Sequence, residues 1–105
     1  MNVNRDQILS EIKKAVLTVD PGAELILFGS RARGDYHEES DWDVLVLLNQ
    51  TVSGKLKGEI SDNLFPVGLN NNATISTVIV NKQNWFLKFR NYPLYNSIAK
   101  EGVHI

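Results

Sequence analysis

Cysteine is absent from this 105-residue chain, so no disulfide bond contributes to its stability. Neither sign of charge dominates, because eleven basic and twelve acidic residues leave a formal net charge of −1. Without a basic field, nothing in the composition indicates a standing nucleic-acid partner. No apolar run approaches the length that spans a bilayer, and the polar, charged first residues exclude a secretory signal. These absences predict a soluble, cytoplasmic protein, in which residues 1–105 form one domain around a modest core.

The apolar residues that are present follow alternating helical and extended patterns. Helical spacing and a capping Asn4 predict a first helix that ends at Val19. The further predicted elements are, in order, a strand at Glu24 to Phe28, a short helix at Ser30 to Arg33, a strand through Val44 to Leu48, a helix at Lys55 to Leu64, an extended piece at Phe65 to Gly68, a strand at Thr74 to Val80, and helices at Lys82 to Arg90 and Leu94 to Lys100. Interleaved helices and strands place the chain in the α/β (α+β) class, with helices packed on a small sheet.

Two aspartates open the second strand. Asp41 and Asp43 stand at positions i and i+2, so their side chains project from the same face of a strand, roughly 6–7 Å apart. Two carboxylates this close repel each other unless one holds a proton or a cation lies between them. Mg²⁺ takes oxygen ligands of this kind, usually one or two carboxylates together with substrate phosphates. A simple turn before a strand is the alternative explanation, since Asp also favours turns.

A Gly-Ser turn at the end of the first strand supplies groups that can bind phosphate beside such a metal site. Gly29 lets the backbone approach a ligand closely, and Ser30 offers a hydroxyl at the start of a short helix whose free N–H groups favour an anion. Arg31 and Arg33 add positive charge, although arginines on a short exposed helix are often only solvated. Phosphate-binding groups beside a metal-binding pair are the arrangement that phosphoryl and nucleotidyl transfer require.

The loop from Asp35 to Ser40, between the turn and the aspartates, is polar. It contains His37, Glu38 and Glu39, which we interpret as solvated loop residues rather than ligands. Trp42, on the opposite strand face from the aspartates, is predicted to be a core residue rather than a platform for a stacked base.

Gly29-Ser30, ten intervening residues and then Asp41-x-Asp43 resemble the signature of the DNA polymerase β-like nucleotidyltransferase superfamily. The longer text, Gly-Ser-Arg-Ala-Arg-Gly followed by Ser-Asp-Trp-Asp-Val, is similar to its minimal nucleotidyltransferase branch. Proteins of that branch are small and are often paired with a HEPN-domain partner. The resemblance implies the nucleotidyltransferase fold, with a mixed sheet of three or four strands.

The same resemblance implies an activity and its cofactors. A nucleoside monophosphate, most simply AMP, passes from a nucleoside triphosphate such as ATP to an acceptor hydroxyl. Asp41 and Asp43 would hold Mg²⁺, in a site that could take two metal ions. The triphosphate would be held by Gly29, Ser30, Arg31 and Arg33. The implied acceptor is a hydroxyl on a HEPN toxin, for which this chain would act as antitoxin.

The third carboxylate of the superfamily pattern has no evident counterpart here. It usually lies on a later strand near the Asp-x-Asp pair, but the third predicted strand contains no acid. Thr74 stands where the acid is expected, with Ser76 next along the same face, and a hydroxyl carries no charge to hold a metal or to accept a proton. Glu59 and Asp62, on the preceding helix, are predicted to be solvated. We therefore expect binding of Mg²⁺-nucleotide but slow transfer, unless a partner supplies the missing group.

Two functions of other classes stay open. The chain could be a binding module that neutralises a partner by contact, with little or no chemistry. It could also be a nucleotide sensor that binds a triphosphate without turnover. The sequence leaves the nucleotide, the acceptor and the formation of a homo-oligomer undecided.

Overall fold

The computed structural model describes residues 4–105. Its elements, in chain order, are α1 (Arg5–Val19), β1 (Glu24–Phe28), α2 (Ser30–Arg33), β2 (Trp42–Leu48), α3 (Gly54–Asn70), β3 (Ile75–Asn81), α4 (Lys82–Lys88), α5 (Pro93–Glu101) and β4 (Val103–His104). The four strands of this part of the chain form one sheet in the order β3-β2-β1-β4. β1 pairs antiparallel with β2 and with β4, whereas β2 and β3 are parallel. This mixed sheet with packed helices confirms the predicted fold class.

The alternation of side chains along β2 divides the core between the two faces of the sheet. On one face, Trp42, Val44 and Val46 pack with the buried apolar residues of α1 and α3. On the other face, Leu45 and Leu47 pack with Trp85 of α4 and Ile98 of α5. β2 is thus covered on both sides, and its first residues are held at the rim of a rigid core.

The third helix is longer than the sequence pattern predicted. It continues through Pro66 to Asn70, and the predicted extended piece at Phe65 to Gly68 is therefore wrong. Proline removes one helical hydrogen bond, but the apolar stripe continues past it and keeps the last turns packed on the core. The buried residues of that stripe are Leu56, Ile60, Leu64 and Val67.

Other boundaries are close to the prediction. Asn4 caps α1 as expected, with its Oδ1 accepting a hydrogen bond from the backbone N–H of Gln7 at 3.0 Å. β3 begins at Ile75, one residue later than predicted, and α4 ends at Lys88, two residues earlier. Within residues 4–105, no helix is both long and apolar enough to cross a membrane.

The fourth strand has only two residues, and no pattern in the sequence indicates it. It follows α5 through Gly102, where a Cβ would lie 2.6 Å from the side chain of Ile26. A side chain at this position would therefore push the chain away from β1. Glycine allows the chain to pass closely beside β1, so that Val103 and His104 pair with it.

Candidate functional site

The predicted pair of carboxylates lies at the start of β2. Asp41 is exposed, and Asp43 is half-buried. Burial raises the pKa of Asp43, the negative charge of Asp41 raises it further, and the positive charge of Arg33 opposes both. The two aspartates therefore share one electrostatic environment, in which a second negative charge is disfavoured.

Gly29 lies directly beside Asp43. The register of β1 and β2 pairs Phe28 with Asp43, and the next residue, Gly29, has a φ of +76°. A Cβ at this position would collide with the carboxylate of Asp43. Glycine is needed here for the backbone conformation and also for the space that the carboxylate occupies. Ser30 follows as the first residue of α2.

Arg31 is almost fully buried, with only 8% of its surface exposed. Its guanidinium lies between the rings of Tyr36 and Trp42, 4.4 Å from each ring centroid. Its Nε and Nη2 donate hydrogen bonds to the carbonyl oxygens of Ser40 and Glu38 at 3.1 to 3.3 Å. These contacts fix the loop that leads into the aspartate pair. The assignment of Arg31 to the triphosphate stays a prediction.

Arg33 has a different environment, exposed at the surface on the same side as Asp43. Its Nε donates to Asp35 at 3.3 Å, and its Nη1 lies 3.2 and 3.3 Å from the two carboxylate oxygens of Glu101. The hydrogen bonds to Asp35 and to Glu101 raise the pKa of Arg33, so the guanidinium is charged. Arg33 is thus a cation within electrostatic reach of Asp43.

Glu101 completes this side of the site, although no motif in the sequence indicates that it does. Its Oε1 accepts a hydrogen bond from the backbone N–H of Gly29 at 3.2 Å, across 72 positions of the chain. Neither its local pattern nor its spacing pointed to the Gly-Ser turn. The pairing of β4 with β1 brings Glu101 to the turn, and this pairing is known only from the folded structure.

The loop residues behave as the sequence predicted. His37, Glu38 and Glu39 are exposed, and Trp42 is buried with 2% of its surface exposed. The indole ring of Trp42 packs in the core and also contacts the guanidinium of Arg31. On α3, Glu59 and Asp62 are exposed, as expected.

The strand beside the aspartates carries hydroxyl groups. The register of β2 and β3 pairs Asp43 with Ser76, and the backbone N–H of Trp42 donates to the carbonyl oxygen of Thr74 at 2.9 Å. Ser76 is exposed and lies level with Asp43, whereas Thr74 lies two residues earlier, level with Asp41. The position nearest to Asp43 on this strand is therefore Ser76, rather than Thr74.

The donor set fits a divalent cation that arrives with an anionic substrate. The carboxylates of Asp35 and Glu101 pair with the guanidinium of Arg33, and the raised pKa of Asp43 indicates a negative charge that a cation would stabilise. Within the described residues no three acidic, histidine or cysteine side chains form a complete metal-binding cluster. Asp41 and Asp43 would therefore supply part of the ligand set, and substrate phosphates or water the remainder.

Comparisons with known proteins show the family of this chain. The family model of the nucleotidyltransferase domain matches residues 9–93. The chain belongs to the nucleotidyltransferase domain family. A proposed protein adenylyltransferase of Methanocaldococcus jannaschii is 41% identical over 78 residues, which cover 72% of this chain and 79% of the relative. The predicted resemblance to nucleotidyltransferases is thus confirmed.

Solved structures share the fold of this nucleotidyltransferase domain. The crystal structure of a toxin–antitoxin with AMP-PNP superimposes with a TM-score of 0.64 at 21% identity, covering 90% of this chain and 69% of the other. A proposed nucleotidyltransferase from Sulfolobus solfataricus superimposes with a TM-score of 0.62 at 20% identity, covering 93% of this chain and 76% of the other. At these identities the likeness establishes the fold.

Proposed function

We propose that this protein transfers AMP from Mg²⁺-ATP to a hydroxyl group of a partner protein, with Asp41 and Asp43 as its catalytic carboxylates. In this reaction the hydroxyl oxygen forms a bond to the α-phosphorus of ATP, the bond between the α-phosphorus and the β-phosphate oxygen breaks, pyrophosphate leaves, and the hydroxyl proton passes to solvent. The observation that carries the proposal is the contact between the Gly-Ser turn and the second aspartate. Gly29 leaves room for the carboxylate of Asp43, so the turn assigned to the phosphates and the residue assigned to the metal are adjacent. Nucleotidyl transfer requires this adjacency, because a cation held by the carboxylates would have to neutralise charge on the phosphates held by the turn.

The chain's own groups have separate tasks in this proposal. Asp41 and Asp43 would hold the cation, which when bound would supply neutralisation of phosphate charge and alignment of the acceptor oxygen. Ser30 donates its hydroxyl to a phosphate oxygen, and Arg33 supplies a fixed positive charge. Arg31 acts through the loop that it anchors, by holding the aspartates at the turn.

The names of the relatives support one class of acceptor. One is named as a proposed protein adenylyltransferase, and one superimposed structure is a toxin–antitoxin. These names support a protein acceptor. We propose that it is a HEPN toxin, and that this chain acts as the antitoxin by modifying it.

A binding module with little chemistry is the second candidate, and the absence of an acidic residue from positions 73–80 favours it. Thr74 and Ser76 place hydroxyls beside the aspartate pair, and neither can carry the negative charge of a third metal ligand. In this case the chain would bind nucleotide, and it would neutralise its partner by contact.

Label transfer separates these functions. The wild-type chain, Asp43→Asn and the control Asp62→Asn, which removes an exposed acid on α3, are each incubated with a HEPN protein carrying an Arg-x₄-His motif. Each mixture receives Mg²⁺ and ATP labelled at the α- or the γ-phosphate. We expect α-label on the HEPN protein with wild type and Asp62→Asn, and a loss of at least about 100-fold with Asp43→Asn. Label from the γ-position alone would indicate phosphoryl transfer instead. Inhibition of the HEPN protein without any label would favour the binding module.

A further inference from the structure

The carboxylate of Glu101 occupies the groups that the proposed function assigns to the triphosphate. Its Oε1 accepts the backbone N–H of Gly29 at 3.2 Å, and both of its carboxylate oxygens lie within 3.3 Å of Nη1 of Arg33. A backbone N–H and a guanidinium are the donors that also bind phosphate oxygens. The chain thus already holds an anion of its own at this position.

The fold, rather than a flexible side chain alone, brings Glu101 there. β4 pairs antiparallel with β1, so that Val103 lies opposite Leu27 and His104 lies opposite Ile26. Extending this register by two residues places Glu101 opposite Gly29. The ion pair with Arg33 leaves only 20% of the Glu101 side chain exposed. The pairing of β1 with β4 therefore positions the carboxylate of Glu101 at the turn.

We propose that Glu101 is an internal competitor of the triphosphate and determines the nucleotide affinity of this protein, an inference that rests on the proposed function. The N–H of Gly29 points to one acceptor at a time, so a phosphate oxygen can bind it only after Glu101 has left. Arg33 must likewise exchange one anion for another. In addition, the charge of Glu101 repels a polyanion that approaches the turn.

A supporting role for Glu101 predicts the opposite change in anion affinity when the carboxylate is removed. If the carboxylate only holds Arg33 in the orientation that phosphate needs, its removal will loosen the guanidinium and weaken anion binding. Competition predicts instead that removal strengthens binding. Glu101→Gln distinguishes the two roles, because it keeps the size and an amide oxygen for Gly29 while it removes the charge.

Calorimetry on the full chain tests this inference with two probes, inorganic tripolyphosphate and ATP, each titrated with Mg²⁺ present. The proteins are wild type, Glu101→Gln, and Glu59→Gln as a control that removes the same charge from an exposed position on α3. We expect Glu101→Gln to bind both probes about tenfold more tightly than wild type, and Glu59→Gln to equal wild type. The amide signal of Gly29 in ¹⁵N–¹H spectra should shift in Glu101→Gln before any ligand is added.

The two probes keep this inference distinguishable from the proposed function. Tighter binding of tripolyphosphate by Glu101→Gln, without binding of ATP to any variant, would support competition and refute the nucleotide site. Binding of ATP that is unchanged or weakened in Glu101→Gln would overturn competition and leave the nucleotide site standing. An absence of tripolyphosphate binding in all three proteins would also overturn it, because no anion site would exist to compete for.

Discussion

Replacing Arg31 by lysine tests whether the loop before the aspartates depends on one buried guanidinium. Lysine keeps the charge, but it has no planar group to lie between the rings of Tyr36 and Trp42, and no fork to reach the carbonyls of Glu38 and Ser40 together. Two cation–π contacts contribute about 0.5–1 kcal/mol each. A charge-assisted hydrogen bond contributes about 1.5–3 kcal/mol, of which lysine recovers a part. The free energy of unfolding should therefore fall by about 2–3 kcal/mol, since such terms are not fully additive.

The assay is thermal unfolding followed by circular dichroism and tryptophan fluorescence, with Arg90→Lys as the matched exposed control. For a domain of this size, about 2 kcal/mol corresponds to a fall in Tm of about 8–16 °C, and the control should remain close to wild type. Hydrogen exchange of the Ser40 amide, which donates to the carbonyl of His37, should accelerate in Arg31→Lys. A change below about 0.5 kcal/mol, with unaltered exchange, would refute the idea that Arg31 holds this loop.

Three further substitutions address the aspartates, the turn and the third strand. Asp43→Asn should stabilise the metal-free protein at pH 7, because the raised pKa of Asp43 means that its negative charge is disfavoured in the folded state. The gain in the free energy of unfolding should disappear below pH 3.8, the ordinary pKa of the side chain, where the aspartate is protonated in both states. Calorimetry in EDTA that shows no such pH dependence would contradict this prediction. Gly29→Ala should lower the free energy of unfolding in urea by about 1–3 kcal/mol and abolish ATP binding, since it adds a Cβ against Asp43 at positive φ. Ser76→Asp should raise the transfer rate or add a second Mg²⁺ in calorimetry, more than Thr74→Asp does, because Ser76 is level with Asp43; equal effects would contradict this assignment.

The parts of the site that lie close in sequence could be predicted from it. Gly29 and Ser30 follow one strand, and Asp41 and Asp43 lie at the start of the next. Because these two strands pair antiparallel, the connection between them brings all four residues to the same end of the sheet. The i, i+2 relation of the aspartates needs only the geometry of one strand. Such features depend on local rules, and local rules can be applied before the fold is known.

Long-range packing explains what the sequence did not show. The helix that continues through Pro66 is maintained by the core beneath Leu64 and Val67, although a proline normally indicates a helix end. β4 is too short for a periodic pattern, and it exists because β1 offers a free edge. Glu101 reaches Gly29 only through that pairing. Each of these features depends on a partner far away in the chain.

The two arginines of α2 lie in different environments. Residues i and i+2 of a helix do not face each other, so Arg31 and Arg33 leave α2 in different directions. The guanidinium of Arg31 lies against the rings of Tyr36 and Trp42. Arg33 stays exposed beside the aspartate pair, within reach of Glu101. We therefore expect Arg33 to be the main arginine contact of the phosphates, while Arg31 holds the loop through which the chain enters β2.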